Sequence, residues 1–247
     1  NTASNNTAVG HDSLTANTSG TKNLAFGSFA LDANTTASKN LAFGYAALTA
    51  NTTGQENVAI GSSALKASTT ASSNIGIGES ALKISTTAHQ LVAVGSEAGD
   101  TVTTGHNLIM LGYNAQSSSA TATDEITLGD ANIATLRCNT QTLSSLSDAR
   151  DKTNVIDLPE GLGFINKLRP VKFEWATRDG NGKDGSFEHG FIAQDLQTAQ
   201  KENDADYLSM VMDENPDRLE ASYGKLVPIL VKAIQELTTQ VAALQAA

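Results

Sequence analysis

The N-terminal half of the chain repeats one pattern of apolar and small residues with a period of 17 residues. Each period contains a short alternating segment that ends in glycine, such as Leu41-Ala42-Phe43-Gly44. Because successive side chains of a strand point to opposite faces, the pattern predicts one short strand per period. The eight glycines that keep this spacing are Gly10, Gly27, Gly44, Gly61, Gly78, Gly95, Gly112 and Gly129.

An unbroken period predicts that the repeats stack as coils of an all-β solenoid. Eight coils rising ~4.8 Å each would make a segment of roughly 38 Å. We expect the large strand residues, such as Leu41 and Phe43, to fill a core, while the small residue Ala42 points the other way. A second core position follows each of the first five glycines by four residues, at Leu14, Leu31, Leu48, Leu65 and Leu82.

Polar residues mark the corners of the predicted coils. Asn17, Asn34 and Asn51 begin Asn-Thr triplets, and Ser68 and Ser85 take the same position in later coils. Such side chains suit corners because they bond to nearby backbone. A second asparagine precedes the strand at Asn6, Asn23, Asn40, Asn57 and Asn74, and gives way to Leu91, Leu108 and Glu125. We therefore expect the last three coils to depart from the regular unit.

The C-terminal half has mixed patterns that indicate an α+β domain. Alternating segments at 171–176 and 186–193 flank a glycine-rich stretch and predict a β-hairpin. Residues 225–247 predict a helix with Pro228 in its first turn. Its apolar residues follow the 3-4 spacing of a coiled-coil seam, at Val227, Leu230, Ile234, Leu237, Val241 and Leu244.

Composition changes between the two halves. Residues 1–146 hold 5 Lys/Arg and 9 Asp/Glu and no proline, whereas residues 147–247 hold 11 Lys/Arg, 17 Asp/Glu and all 4 prolines. We predict a solenoid over 1–137, a linker over 138–146 and a second domain over 147–247. The first residue is Asn1 rather than methionine, which suggests a fragment of something longer.

Charge and apolar content exclude some classes of partner. The net charge of −10 repels phosphate backbones, so we expect no nucleic-acid partner. No apolar run approaches the ~20 residues needed to cross a bilayer, so we expect no membrane insertion. The single cysteine, Cys138, rules out an intrachain disulfide framework.

Three motifs in order characterise the second domain. Ser147-Asp148-Ala149-Arg150-Asp151-Lys152 is followed by the stretch Leu168 to Phe173 (LRPVKF) and then by Gly190 to Asp195 (GFIAQD). Together they resemble the intramolecular chaperone of phage tail spikes and fibres, the peptidase S74 or endosialidase chaperone family. The resemblance implies a homotrimer whose chaperone cuts itself off before the first serine of the motifs.

Carried onto this chain, the resemblance implies cleavage between Leu146 and Ser147. It implies that Ser147 is the nucleophile and Lys152 the general base of a Ser-Lys dyad. A lysine serves as a base only when its pKa falls well below ~10.4. Arg150 favours that shift, Asp148 and Asp151 oppose it, and Asp148 and Arg150 can instead pair and hold the loop. His189 is a further candidate near the cut, although a lone histidine is more often structural.

Residues 5–130 resemble the head repeats of trimeric autotransporter adhesins. Taken with the chaperone motifs, this predicts the distal part of a virion tail fibre, assembled in the host cytoplasm. We expect it to bind a host-surface polysaccharide or protein. The alternative is a bacterial or prophage surface adhesin with the second domain as an uncleaved trimer clamp, and a third possibility is a spike that cleaves polysaccharide.

Other site chemistries fit the sequence less well. Paired carboxylates for glycan cleavage and a flat threonine array for ice binding are not evident. Asp179 to Gly185 fails as a calcium loop, because Lys183 takes a ligand position. His11, His89 and His106 are interpreted as surface or turn residues without a shared ligand spacing. We predict no metal and no cofactor.

Overall fold

The computed structural model describes residues 3–133, 135–139, 145, 147–176, 185–217 and 219–247. The chain divides into two compact units, Asn1–Ile133 and Ala134–Ala247. Each unit has its own cluster of buried apolar side chains.

The first unit is a parallel β-solenoid. Its strands pair in chain order in one sheet of 8 strands, and each residue faces the residue 17 positions later, as Ala25 faces Ala42 and Ala42 faces Ala59. The predicted 17-residue coil is therefore confirmed. The strands are β1 (Thr7–Val9), β2 (Leu24–Phe26), β3 (Leu41–Phe43), β4 (Val58–Ile60), β5 (Ile75–Ile77), β6 (His89–Val94), β7 (His106–Leu111) and β8 (Thr123–Leu128).

The two faces of the strands are the reverse of our expectation. Ala42 and its counterparts in neighbouring coils are fully buried, whereas Phe26 is 46% exposed and Phe43 is 49% exposed. The interior is narrow because it already holds the fully buried Leu31, Leu48 and later leucines. It has room for alanine but not for phenylalanine, so the large strand residues face outward. The second core position was predicted correctly for Leu31, Leu48, Leu65 and Leu82.

The repeated glycine is required by its backbone and by the next coil. Gly61 has φ +133°, a conformation that residues with a side chain rarely adopt. A Cβ at this position would overlap the carbonyl group of Gly78, one coil along. Glycine therefore recurs every 17 residues because the corners of successive coils lie too close together for a side chain.

Asparagine side chains join successive coils. The Oδ1 of Asn40 accepts a bond from the backbone N–H of Asn57 at 3.0 Å, and its Nδ2 donates to Gly54 O at 2.8 Å. The series ends where Asn74 accepts from the N–H of Leu91. The last three coils nevertheless keep the parallel register, and their strands lengthen to 6 residues. They depart from the regular unit in strand length, not in stacking.

The second unit is α+β, as predicted. A hairpin of β9 (Val171–Glu174) and β10 (Phe187–Gly190) is antiparallel, and most of its connecting loop lies outside the described residues. The other elements are α1 (Leu162–Ile165), α2 (Ala193–Lys201), the short pair β11 (Val211–Met212) and β12 (Glu220–Ala221), and α3 (Leu226–Gln245).

Helix α3 has two apolar faces. Leu226, Ile229 and Ala233 are buried in the core of the unit, and α3 packs against α1. The predicted seam, Val227 to Leu244, lies on the exposed side. Pro228 stands in the first turn as expected, where a missing backbone N–H costs nothing. Across the described ranges, no helix combines the length and apolar character needed to span a bilayer.

Candidate functional site

A tight turn carries the first chemical motif. The Asp148 side chain accepts a hydrogen bond from the backbone N–H of Arg150 at 2.8 Å, which caps a 3-10 turn over Ala149–Asp151. The N–H of Lys152 then donates to the carbonyl of Ala149 at 3.2 Å. An aspartate suits this position because its short side chain reaches the first free N–H groups of a turn. The turn therefore brings Lys152 back toward Ser147.

The two predicted dyad residues are in contact. Lys152 Nζ lies 2.6 Å from Ser147 Oγ and 3.3 Å from the carbonyl oxygen of Ser147. This Nζ to Oγ distance is within hydrogen-bond reach, as required for a base that removes a proton from a nucleophile. Both residues are exposed. The arrangement places an amine beside a serine hydroxyl, and only a neutral Lys152 could accept the hydroxyl proton.

Arg150 braces the turn. Its guanidinium donates to both carboxylate oxygens of Asp148, and the closest contact joins Nη2 and Oδ2 at 2.6 Å. The side-chain hydrogen bond from Arg150 holds the pKa of Asp148 below its ordinary value, and the same bond raises the pKa of Arg150. Arg150 is therefore engaged with Asp148, which agrees with the interpretation that the two pair and hold the loop.

The structure does not connect the remaining predicted site residues, His189 and Leu146, to the contact between Ser147 and Lys152. His189 lies on β10, opposite Lys172 of β9. No hydrogen bond joins His189 to Ser147 or Lys152, all three of which are described residues, so its role stays a prediction. Leu146, on the other side of the predicted cut, lies outside the described residues.

Two contacts tie the later motifs to the rest of the unit. Arg169 donates to Asp195 Oδ2 from Nη2 at 2.8 Å, which joins the second motif to the third. The Tyr223 hydroxyl accepts a bond from the Phe191 N–H at 3.2 Å. A Cβ at Gly190 would meet that hydroxyl, so the glycine of the third motif makes space for Tyr223. Sequence reasoning missed Tyr223, because nothing in one sequence links it to Gly190.

Two histidines of the solenoid, His89 and His106, contact each other between neighbouring coils. His89 and His106 are 17 residues apart, and their rings stack on β6 and β7 with centroids 5.3 Å apart and planes 5° apart. Among the described residues no group of three or more His, Cys, Asp and Glu side chains could hold a metal ion. The pair is therefore a stacking contact between coils.

A family model described as the chaperone of endosialidase, Peptidase_S74, matches residues 147–204. The match begins at Ser147 and includes all three motifs, but it covers less than half of the chain. No curated protein shows significant similarity to the chain, and no solved structure does either. The resemblance of the repeats to adhesin heads is thus unsupported by any match. The matched segment supports a C-terminal intramolecular chaperone with a family link to self-cleavage.

Proposed function

We propose that this chain is the distal part of a phage tail fibre or spike that processes itself after assembly. Its solenoid forms a host-binding trimer, and its C-terminal domain brings the three chains together and then leaves by cleavage between Leu146 and Ser147. The observation that carries the proposal is the 2.6 Å contact between Lys152 Nζ and Ser147 Oγ, at the start of the segment matched by the chaperone family.

The proposed cleavage needs only groups of this chain and one water molecule. Ser147 Oγ attacks the carbonyl carbon of Leu146, and neutral Lys152 accepts the hydroxyl proton. Lys152 then gives that proton to the Ser147 nitrogen as the peptide C–N bond breaks, which leaves an ester on Oγ. Water hydrolyses the ester to a Leu146 carboxylate and restores the Ser147 hydroxyl.

The outward face of the solenoid supports trimer formation. It carries exposed or half-buried apolar residues in every coil, and Phe26 and Phe43 stack there with ring centroids 4.8 Å apart. Isolated soluble chains rarely expose large contiguous apolar surfaces, so this face is suited to burial against other copies. The residues with substantial exposure are Val9, Leu24, Phe26, Phe43, Ile75, Val94, Leu111, Ile126 and Leu128.

The exposed seam of α3 supports the same assembly. One face of this helix packs into the core of its own unit, yet the six seam residues, from Val227 to Leu244, stay exposed. A helix with a second apolar stripe at 3-4 spacing is suited to a coiled coil. Three chains held in this way would start the parallel coils in register, which offsets the slow closure of non-local strand pairs.

Variants of the dyad test the cleavage. Ser147→Ala and Lys152→Ala should each leave the full 25.6 kDa chain on a denaturing gel, whereas the wild type yields two fragments. Lys201→Ala, on α2, is the matched control and should cleave normally. Cleavage that persisted in Ser147→Ala would refute the assignment of the nucleophile. An intact wild-type trimer would instead favour the adhesin with a permanent clamp.

Sedimentation equilibrium of Ser147→Ala tests the assembly separately. We expect a mass of three chains, each of 25.6 kDa. Leu237→Asp, in the seam of α3, should shift the protein toward single chains, while Thr239→Asp on the same helix should not. A dimeric Ser147→Ala protein would contradict the trimer while leaving the dyad chemistry intact. A glycan array with the cleaved trimer then tests host-surface binding.

A further inference from the structure

A column of polar side chains runs through one corner of the solenoid. Its members, called here the corner column, begin the corner triplets of successive coils. Four of them are fully buried, namely Asn34, Asn51, Ser68 and Ser85. The complete column is Asn17, Asn34, Asn51, Ser68 and Ser85, and Val102 takes the next position.

In the coils of Asn34 and Asn51 the carboxamide nitrogen reaches two acceptors. Nδ2 of Asn34 donates to Asn17 Oδ1 at 2.9 Å and to Ala37 O at 3.2 Å. Nδ2 of Asn51 repeats this arrangement with Asn34 Oδ1 at 3.2 Å and Gly54 O at 3.0 Å. One nitrogen per coil thus bonds both to the previous coil and to the third residue of its own corner.

In the serine coils these bonds are lost. Asn51 Oδ1, Ser68 Oγ and Ser85 Oγ are buried and have no hydrogen-bond partner within the described residues. The corner carbonyls change as well. Gly54 O accepts from both Asn40 and Asn51, whereas its counterpart Ala71 O accepts from Asn57 and receives nothing from Ser68.

We infer that the corner column holds two buried water molecules, one beside Ser68 and one beside Ser85, each in place of a missing carboxamide nitrogen. Exchanging asparagine for serine removes a volume close to that of one water molecule, about 30 Å³ in the liquid. The site is polar on several sides, and buried oxygens without partners are costly and rare in native proteins.

The bonds of each water follow from the coils that retain asparagine. The water beside Ser68 donates to Asn51 Oδ1 and to Ala71 O, and it accepts the Ser68 hydroxyl proton. The water beside Ser85 donates to Ser68 Oγ and to Ala88 O, and it accepts from Ser85. Three bonds per molecule is the usual number for buried water. Val102 ends the column with an apolar side chain, so the chain of waters stops there.

A crystal structure of the full chain at a resolution that orders internal water tests the inference. We expect one water within ~2.7–3.2 Å of Ser68 Oγ, Asn51 Oδ1 and Ala71 O, and a second at Ser85. Ser68→Asn should displace the first water, restore the Asn34 pattern and raise the melting temperature by about 2–4 °C. Asn34→Ser should create a third such water and lower the melting temperature, whereas Ser19→Asn, at an exposed position, should change neither.

Direct bonds from Ser68 Oγ and Ser85 Oγ to protein carbonyls, with no water at either site, would overturn the inference. So would a Ser68→Asn protein that melts at or below the wild-type temperature. If that variant does not fold, the electron density of the wild type and of Asn34→Ser still decides the question.

Discussion

The two units of this chain are stabilised in different ways. In the solenoid the same contact recurs in every coil, so that Asn40, Asn57 and Asn74 make equivalent bonds 17 residues apart. In the C-terminal unit each contact occurs once, as when Glu236 of α3 accepts a bond from the Leu162 N–H at 2.8 Å. A substitution in the solenoid therefore disturbs the stacking of identical coils. A substitution in the second unit removes one contact that no other residue repeats.

We expect the two units to differ most in how much stability they lose when a glycine is replaced by alanine. Gly61→Ala should destabilise the solenoid by about 1–3 kcal/mol through backbone strain alone, and by more through overlap with Gly78. Gly163→Ala in α1, where a Cβ meets nothing within 4 Å, should be neutral or slightly stabilising. Thermal unfolding of both variants measures the contrast. Equal melting temperatures would contradict the close approach of the corners.

The second largest effect on stability follows from the orientation of the solenoid strands, whose alanines face inward and whose large apolar residues face outward. Ala59→Leu should destabilise the solenoid by about 1–3 kcal/mol, because Ala59 is fully buried in the narrow interior. Val94→Leu adds a single methylene on the outward face, where Val94 is 37% exposed, and should have a smaller effect. Denaturant unfolding in the Ser147→Ala background compares the two. If Ala59→Leu were the better tolerated, the assignment of faces would be wrong.

Loss of the hydrogen bond between Glu236 and the Leu162 N–H should have a smaller effect on stability. Glu236→Ala should destabilise this unit by about 0.5–2 kcal/mol, because it leaves the first N–H of α1 without its cap. Glu236→Gln keeps an oxygen acceptor and should lose less, and Gln235→Ala, at an exposed neighbouring position, is the control. Hydrogen exchange of the Leu162 amide reports the change directly. If the Leu162 amide were as protected from exchange in Glu236→Ala as in the wild type, Glu236 would not be its cap.

The smallest effect is a titration in the second unit. The Tyr207 hydroxyl forms a hydrogen bond with buried Glu160. Tyr207 as a whole is 58% exposed, but desolvation at its hydroxyl, together with that carboxylate, raises the pKa of Tyr207 to about 12. The folded state therefore favours the neutral phenol. The resulting stability is present below the unfolded value of ~10 and is lost as pH rises through about 12.

Phenolate absorbance, with Tyr207→Phe to identify the signal, measures this titration. Glu160→Gln removes the carboxylate charge and should lower the pKa of Tyr207 part of the way toward ~10. A wild-type Tyr207 that titrates near 10 would show that Glu160 and burial do not act on it.

Periodicity made the solenoid predictable from the sequence, since one 17-residue spacing specifies both strand and register. It did not reveal which face is inside, because alternation is the same whether Ala42 or Phe43 points inward, and only the width of the coil decides. The link between Ser147 and Lys152 was suggested by the resemblance to the chaperone family. Contacts such as that of Tyr223 with Gly190 join distant segments once, and one sequence has no pattern that marks them.

Intact-mass spectrometry of the purified full chain shows whether the chain cleaves itself between Leu146 and Ser147. We predict one fragment spanning 1–146 and a second spanning 147–247 with a free amino group on Ser147, and a single 25.6 kDa species for Lys152→Ala. A wild-type chain that remains intact after trimer formation would contradict this prediction, as would cleavage at any other bond.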